Sequence, residues 1–325
     1  EKLGQLNLPV GGDIVSGTVK GTELDSLILS GKIGGFFNIK GVEEISRLQH
    51  LAVEQGPHGI PLLVGADVVH GYETIFPIPL ALSCSWDSTA VEQMARISAI
   101  EATADGVNWN YSPMVDICRD PRWGRIAEGS GEDPYLGSVM ARAYIRGYQG
   151  DDMTNDSTLM ACVKHFALYG AAEGGRDYNA VDMSRENMFN YYLPPFHAAI
   201  KQGVGSLMTS FNLINGQHAT SSGWLVNDVL RSDWAFNGLV VTDYGSVPEV
   251  ATMGCASEND AAVVTIKAGT DMDMVSGLFV NTLEDALHRG AITEKMIDDA
   301  CRRVLRAKQQ LGLFDNPYKY CNRER

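Results

Sequence analysis

Residues 238–245 read Gly-Leu-Val-Val-Thr-Asp-Tyr-Gly, an apolar run that ends on an acid, Asp243. Leu239, Val240 and Val241 suit a strand buried on both faces, and Gly245 breaks it. A carboxylate at the mouth of such a strand is placed as a nucleophile would be. An aspartate there can equally cap a helix starting near Pro248, so Asp243 alone fits either role. A second feature is Lys164-His165, which closes the apolar run 159–166. It offers hydrogen-bond donors, or an amine able to form a Schiff base. The loop 118–134 carries Arg119, Arg122 and Arg125 among Asp120, Glu128, Glu132 and Asp133. Such a loop can be knitted by its own ion pairs. One guanidinium turned inward would instead grip vicinal hydroxyls through its fork of donors.

Positioning these groups falls to short apolar runs that alternate with helical patterns along the chain. Strands are expected at 5–10, 33–38, 61–67, 108–114, 159–166, 206–213, 239–243 and 270–274. Helices are expected near 21–30, 41–55, 87–105, 134–149, 184–202, 222–234, 247–268 and 281–311. Eight strands, each followed by a helix, give an α/β fold of the (β/α)8 barrel type. A doubly wound open sheet is the alternative, but no GxGxxG follows the first strand. Chemistry in a barrel belongs at the C-terminal ends of its strands. Those ends carry Asp67, Lys164 and His165, Met208 and Phe211, Asp243, and Asp271 with Asp273. Of these, Asp271 and Asp273 are expected to be structural. Glu132 and Asp133 are expected to pair with the loop arginines and cap the next helix. Trp86, Trp109, Trp224 and Trp234 are expected in the core or between helices.

The 325 residues include 34 glycines and carry a net charge of −14 with no basic cluster, which argues against nucleic acid and anionic membranes as partners. No apolar stretch reaches 18 residues, so no membrane span is expected. The six cysteines (Cys84, Cys118, Cys162, Cys255, Cys301, Cys321) show no CxxC spacing, and no HxxxH or HEXXH is present. Free thiols are therefore expected, with no metal and no cofactor.

Several motifs occur together: Asp120-Pro121-Arg122-Trp123-Gly124-Arg125, Ser130-Gly131-Glu132-Asp133-Pro134, Lys164-His165-Phe166, Glu173-Gly174-Gly175-Arg176-Asp177-Tyr178 and Val241-Thr242-Asp243-Tyr244. In this order they resemble glycoside hydrolase family 3, over about residues 5–318, and among its members the bacterial periplasmic β-glucosidases. The resemblance implies a retaining hydrolase of terminal β-D-glucosyl residues, acting on β-glucosides or small oligosaccharides in the periplasm or outside the cell. Asp243 then matches the nucleophile. Asp67, Arg125, Lys164 and His165 match the groups that bind glucose hydroxyls, and Met208 and Phe211 the wall beside them. Tyr244 stands where many members have Trp. Lys164 and Arg125 would keep Asp243 ionised.

The resemblance also implies a domain layout. Residues 1–325 match the family's barrel domain, with 312–325 as the start of a linker. The general acid/base glutamate is then expected on a second α/β domain of the same polypeptide, absent from this sequence. A barrel without that cover could expose an apolar face and self-associate. Other readings are a sugar-binding fragment without catalysis, a β-xylosidase, and a Schiff-base lyase using Lys164. The lyase lacks the glycine pair that binds phosphate after the last two strands.

Overall fold

The computed structural model describes residues 2–11, 22–254 and 257–325; Cys255 lies outside them. Its strands in chain order are β1 (Asn7–Leu8), β2 (Gly35–Phe37), β3 (Leu63–Ala66), β4 (Trp109–Asn110), β5 (Met160–Phe166), β6 (Ser206–Thr209), β7 (Leu213–Ile214), β8 (Gln217–His218), β9 (Leu239–Val241) and β10 (Asp273–Met274). One parallel sheet runs β2-β3-β4-β5-β6-β9, and β1 pairs in parallel with β10. Bridges Val10↔Phe37 and Val241↔Met272 join the two pieces. The Val275 N–H donates to the Leu8 carbonyl at 2.9 Å. Eight strands thus close into the expected (β/α)8 barrel. Between β6 and β9 the chain forms a ribbon instead of a longer sixth strand. Asn215 and Gly216 both take positive φ (49° and 83°), so β7 turns back as β8 through a two-residue hairpin.

Helices follow most strands because the sequence supplies their caps. Asp87 accepts from the Thr89 and Ala90 N–H groups at the head of Ser88–Ala104, and Asp133 from Leu136 N–H ahead of Pro134–Gln149. These two helices meet through alanines and glycine: a Cβ on Gly147 would lie 2.3 Å from the Glu92 carbonyl oxygen. The expected helix 247–268 is two, Ser246–Thr252 and Glu258–Lys267, the second capped by Ser257. The last expected helix also divides, into Leu278–His288 and Glu294–Gln310, with Gly290 left-handed between them.

Side chains fill the barrel. Trp109, Tyr111, Met160, Cys162, Met208, Leu239 and Val241 belong to one buried cluster, and the Trp109 indole donates to Ser206 Oγ at 2.7 Å. Asp271 is structural, as expected: it accepts from Arg231 (2.6 Å), Arg303 (2.7 Å) and the Val240 N–H. Asp273 accepts from Ser276 Oγ and the Phe279 N–H. Lys308 is fully buried and donates to Gln5 Oε1 at 2.5 Å. Trp86 departs from expectation. It is 78% exposed in a left-handed turn ahead of Asp87, where the short helix Pro79–Ser83 ends and nothing packs over it. The five described cysteines are free. No described helix is long and apolar enough to cross a membrane.

Candidate active site

The C-terminal ends of the strands bring Asp67, Arg125, Lys164, His165 and Asp243 into one network. Lys164 and His165 both serve it although they are consecutive in β5, where side chains should alternate. The register against β6 shifts between Val163 and Phe166, which frees the segment from regular alternation. Lys164 Nζ donates to Asp67 Oδ1 at 2.6 Å; the lysine side chain is 6% exposed and the aspartate side chain 56%. Burial pulls the ammonium towards deprotonation, but the charges of Asp67 and Glu128 and the hydrogen bond to Asp67 together outweigh it and hold Lys164 above its ordinary range.

His165 is buried between three groups. Nδ1 lies 2.9 Å from Asp116 Oδ2, and Nε2 lies 3.0 Å from Arg125 Nη2 and 3.6 Å from Asp243 Oδ2. Burial, then Arg125 and Lys164, hold the imidazole well below its usual pKa, so it is neutral. Arg125 is fixed from the other side by Glu128, which accepts from Nε at 2.7 Å and from Nη2 at 3.0 Å. The loop arginines do not take the partners expected of them. Arg122 pairs with Asp120 and Arg125 with Glu128, while Arg119 lies over the Tyr191 ring. Asp133 does cap its helix.

Asp243 follows β9 and is 7% exposed. Its Oδ1 accepts from the Tyr244 N–H at 2.7 Å, and Oδ2 has no hydrogen-bond partner among the described residues. Burial pushes this carboxyl up to about 7; Lys164, the Tyr244 N–H and Arg125 act against that, in that order of weight. The expectation that nearby cations keep Asp243 firmly ionised therefore needs revision, because desolvation outweighs them. One oxygen of the carboxyl is thus free to meet an electrophile.

Around this centre Phe211 joins Trp123, Tyr169, Met114 and Cys118 in a buried cluster. Tyr178 lies edge-on to Phe211 at 5.1 Å and is 54% exposed. Tyr244 is 43% exposed, edge-on to Phe37 with ring centres 6.3 Å apart. Met208 packs into the barrel interior with Trp109 and Tyr111. Sequence reasoning gave no role to Asp116, Glu128, Tyr169 or Tyr178. Glu128 stands three residues after Arg125, a spacing at which side chains on a helical turn meet. Asp116 follows the fourth strand, as Asp67 follows the third.

The model of the glycosyl hydrolase family 3 N terminal domain matches residues 1–307. A periplasmic beta-glucosidase of Salmonella typhimurium is 42% identical over 322 residues, 98% of this chain and 41% of its own length. A beta-xylosidase of Formosa agariphila is 36% identical over 295 residues, 84% of this chain and 41% of its own. Among solved structures, a beta-glucosidase from Listeria innocua in complex with isofagomine superimposes with a TM-score of 0.92 at 40% identity, covering 98% of this chain and 45% of that one. The chain thus spans less than half the length of these relatives. With motifs, barrel and strand-end site in agreement, the chain belongs to glycosyl hydrolase family 3, as its N-terminal domain.

Proposed function

We propose that this barrel carries the nucleophile and the glycone site of a retaining β-glucosidase. The observation that carries the reading is Asp243: a buried carboxyl at a strand mouth, one oxygen unpartnered, beside the Lys164–Asp67 and Arg125–Glu128 pairs. The ionised carboxylate attacks the anomeric carbon from below the sugar ring. A C1–O bond to Asp243 forms as the aglycone oxygen leaves, and water later releases glucose. Asp67, Lys164 and Arg125 hold the hydroxyls, in contacts that strengthen as the ring flattens, while His165, expected to join them, is spent on Asp116 and Arg125; Phe211 and Tyr244 line the site, and Met208, expected beside them, belongs to the barrel interior.

The leaving oxygen needs a proton from an acid about 5–5.5 Å from the nucleophile. Among the described residues, Asp67, Asp116 and Glu128 are each engaged by Lys164, His165 or Arg125. As the resemblance to the family implies, the acid/base is assigned to a part of the polypeptide outside this barrel, and the relatives' greater length is consistent with that. The name of the Salmonella relative supports action in the periplasm, on β-glucosides or small oligosaccharides. The Formosa relatives favour β-xylosides as the second reading.

Dinitrophenyl 2-deoxy-2-fluoro-β-glucoside tests this directly. Dinitrophenolate leaves without an acid, and fluorine slows breakdown of the adduct. Intact mass should rise by one fluoroglucosyl group, peptide mapping should place it on Asp243, and D243A should stay unmodified. A folded chain that binds gluconolactone yet forms no adduct would make the barrel a sugar-binding domain. Faster labelling by the fluoroxyloside would select the second reading.

A further inference from the structure

We propose that Asp116 is a positioning residue that fixes His165 as the neutral Nδ1–H tautomer, so that Nε2 offers the nucleophile no proton. The proposal rests on Asp243 being that nucleophile.

The Asp116 side chain is wholly buried. Its Oδ2 accepts from both the backbone N–H and the ring Nδ1 of His165, each at 2.9 Å. The carboxylate form only accepts, so while Asp116 is ionised Nδ1 carries the proton. The opposite nitrogen faces Arg125 Nη2 at 3.0 Å, and a guanidinium only donates. Nε2 must then present its lone pair. The two contacts, one on each side of the ring, select the same tautomer independently. An Nε2–H would confront the Arg125 N–H, and an imidazolium would do so while adding a third positive charge beside Lys164.

This choice governs two neighbours. Arg125 is gripped by Glu128 on one edge and by the His165 lone pair on the other, which aims its remaining donors. Asp243 Oδ2, 3.6 Å from Nε2, receives no hydrogen bond from the ring and keeps its basicity for attack. The groups facing His165 are Asp116, Arg125, Lys164, Asp243 and the edge of Tyr169 at 5.2 Å. Those acting on Asp243 are Lys164, Arg125, Asp67 and its own backbone contact from Tyr244. Burial pushes Asp116 itself up to about 7, opposed by the His165 N–H, Arg125 and the Tyr169 N–H. A neutral ring beside it adds no charge for it to balance.

An alanine at 116 removes the acceptor that serves both His165 N–H groups. The ring proton is then free to move to Nε2, where it donates to Asp243 and pushes on Arg125. Inactivation by the fluoroglucoside should slow about 10–100-fold in D116A, as when the outer-shell partner of a metal-bound histidine is lost. Its acid limb should move to lower pH, because a hydrogen-bonded carboxylate ionises more readily. Weaker saturation by the sugar should accompany this, through Arg125.

The deciding experiment needs no variant to fold. The wild-type chain is labelled with 15N-histidine and two-bond 1H–15N correlations are recorded from pH 5 to 8. The expected result is one histidine locked as the neutral Nδ1–H form throughout. An Nε2–H pattern or an imidazolium at His165 overturns the proposal, as does a D116A protein that retains the wild-type tautomer and pH profile. A wild type that forms no fluoroglucosyl adduct refutes the nucleophile reading instead, while the tautomer measurement still judges Asp116.

Discussion

Burial of Asp243 should make the active centre cost the fold stability, and only over a defined pH window. Its pKa is pushed from 3.8 to about 7 by desolvation. Each pKa unit corresponds to about 1.4 kcal/mol, so about three units set a ceiling of ~4 kcal/mol. An asparagine at 243 keeps the shape and removes the charge, but its amide must itself be accommodated, so about half the ceiling, ~2 kcal/mol, is expected. With an unfolding entropy of about 2.1 cal/mol/K per residue, the 325 residues convert this to a Tm rise of about 3 °C for D243N at neutral pH.

The sign follows from linkage. A carboxyl with a raised folded pKa binds its proton more tightly folded than unfolded, so wild type loses stability as pH climbs from about 4 to about 7. D243N lacks this loss. The Tm difference should be lowest at pH 4, where D243N carries only the cost of its amide, grow in favour of the variant through the window and level off above it. Asp116 titrates in the same window but is present in both proteins, so it cancels in the difference. Calorimetric scans of both proteins at pH 4, 5.5, 7 and 8 measure it. A difference that is constant with pH, or in which wild type gains on the variant as pH rises, refutes the reasoning.

Lys308 gives the mirror case: burial lowers its pKa to about 7, so stability should rise as pH goes from about 7 to 10.5. K308M should therefore raise Tm at pH 7 by the equivalent of about 1–3 kcal/mol, and by much less at pH 10. D271N leaves Arg231 and Arg303 facing a neutral amide, and an unfolding free energy from denaturant titration lowered by about 3–5 kcal/mol is expected. A Cβ on Gly65 would stand 2.0 Å from the Tyr111 hydroxyl inside the barrel; G65A should cost about 1–3 kcal/mol in the same assay. R125K loses the two-pronged contact with Glu128 as well as the bond to His165, so fluoroglucoside inactivation should slow about 10²-fold with the fold intact by circular dichroism.

The order of strands and helices was legible because each barrel strand is buried on both faces and reads as a short apolar run, Leu239–Val241 being the plainest case. Strand lengths were not. The run 108–114 keeps a regular ladder only at Trp109–Asn110 and a single bridge at Met114↔Lys164, with Pro113 between them lacking an N–H to donate. The Asn215-Gly216 pair announces a hairpin, but it lies beyond the expected sixth strand, 206–213, and no element was expected there. At the site, Asp67, Lys164, His165 and Asp243 followed from standing at strand ends, and Arg125 from its motif. Asp116 was lost because it stands two residues beyond the run 108–114 and was not read as a strand end. The raised pKa of Asp243 could not be read at all: sequence shows which charges are near in the chain, whereas desolvation depends on what the fold stacks above them. Trp86 failed for the complementary reason, as an indole next to a helix cap looks like core until the surface is known.

The ring of strands also has a chronology. β1 finds one neighbour early, through Val10 and Phe37, but its other edge pairs with Asp273, 266 residues (273 − 7) further along. At synthesis rates of about 5–20 residues per second, that edge waits roughly 13–50 s on the ribosome before its partner exists. Throughout that interval the nascent domain is an open, curling sheet with unpaired N–H and C=O groups at both margins. A ribosome-bound chain stalled before Asp273 should consequently be a client for chaperones that recognise bare strand edges, and release from that dependence should coincide with the emergence of β10.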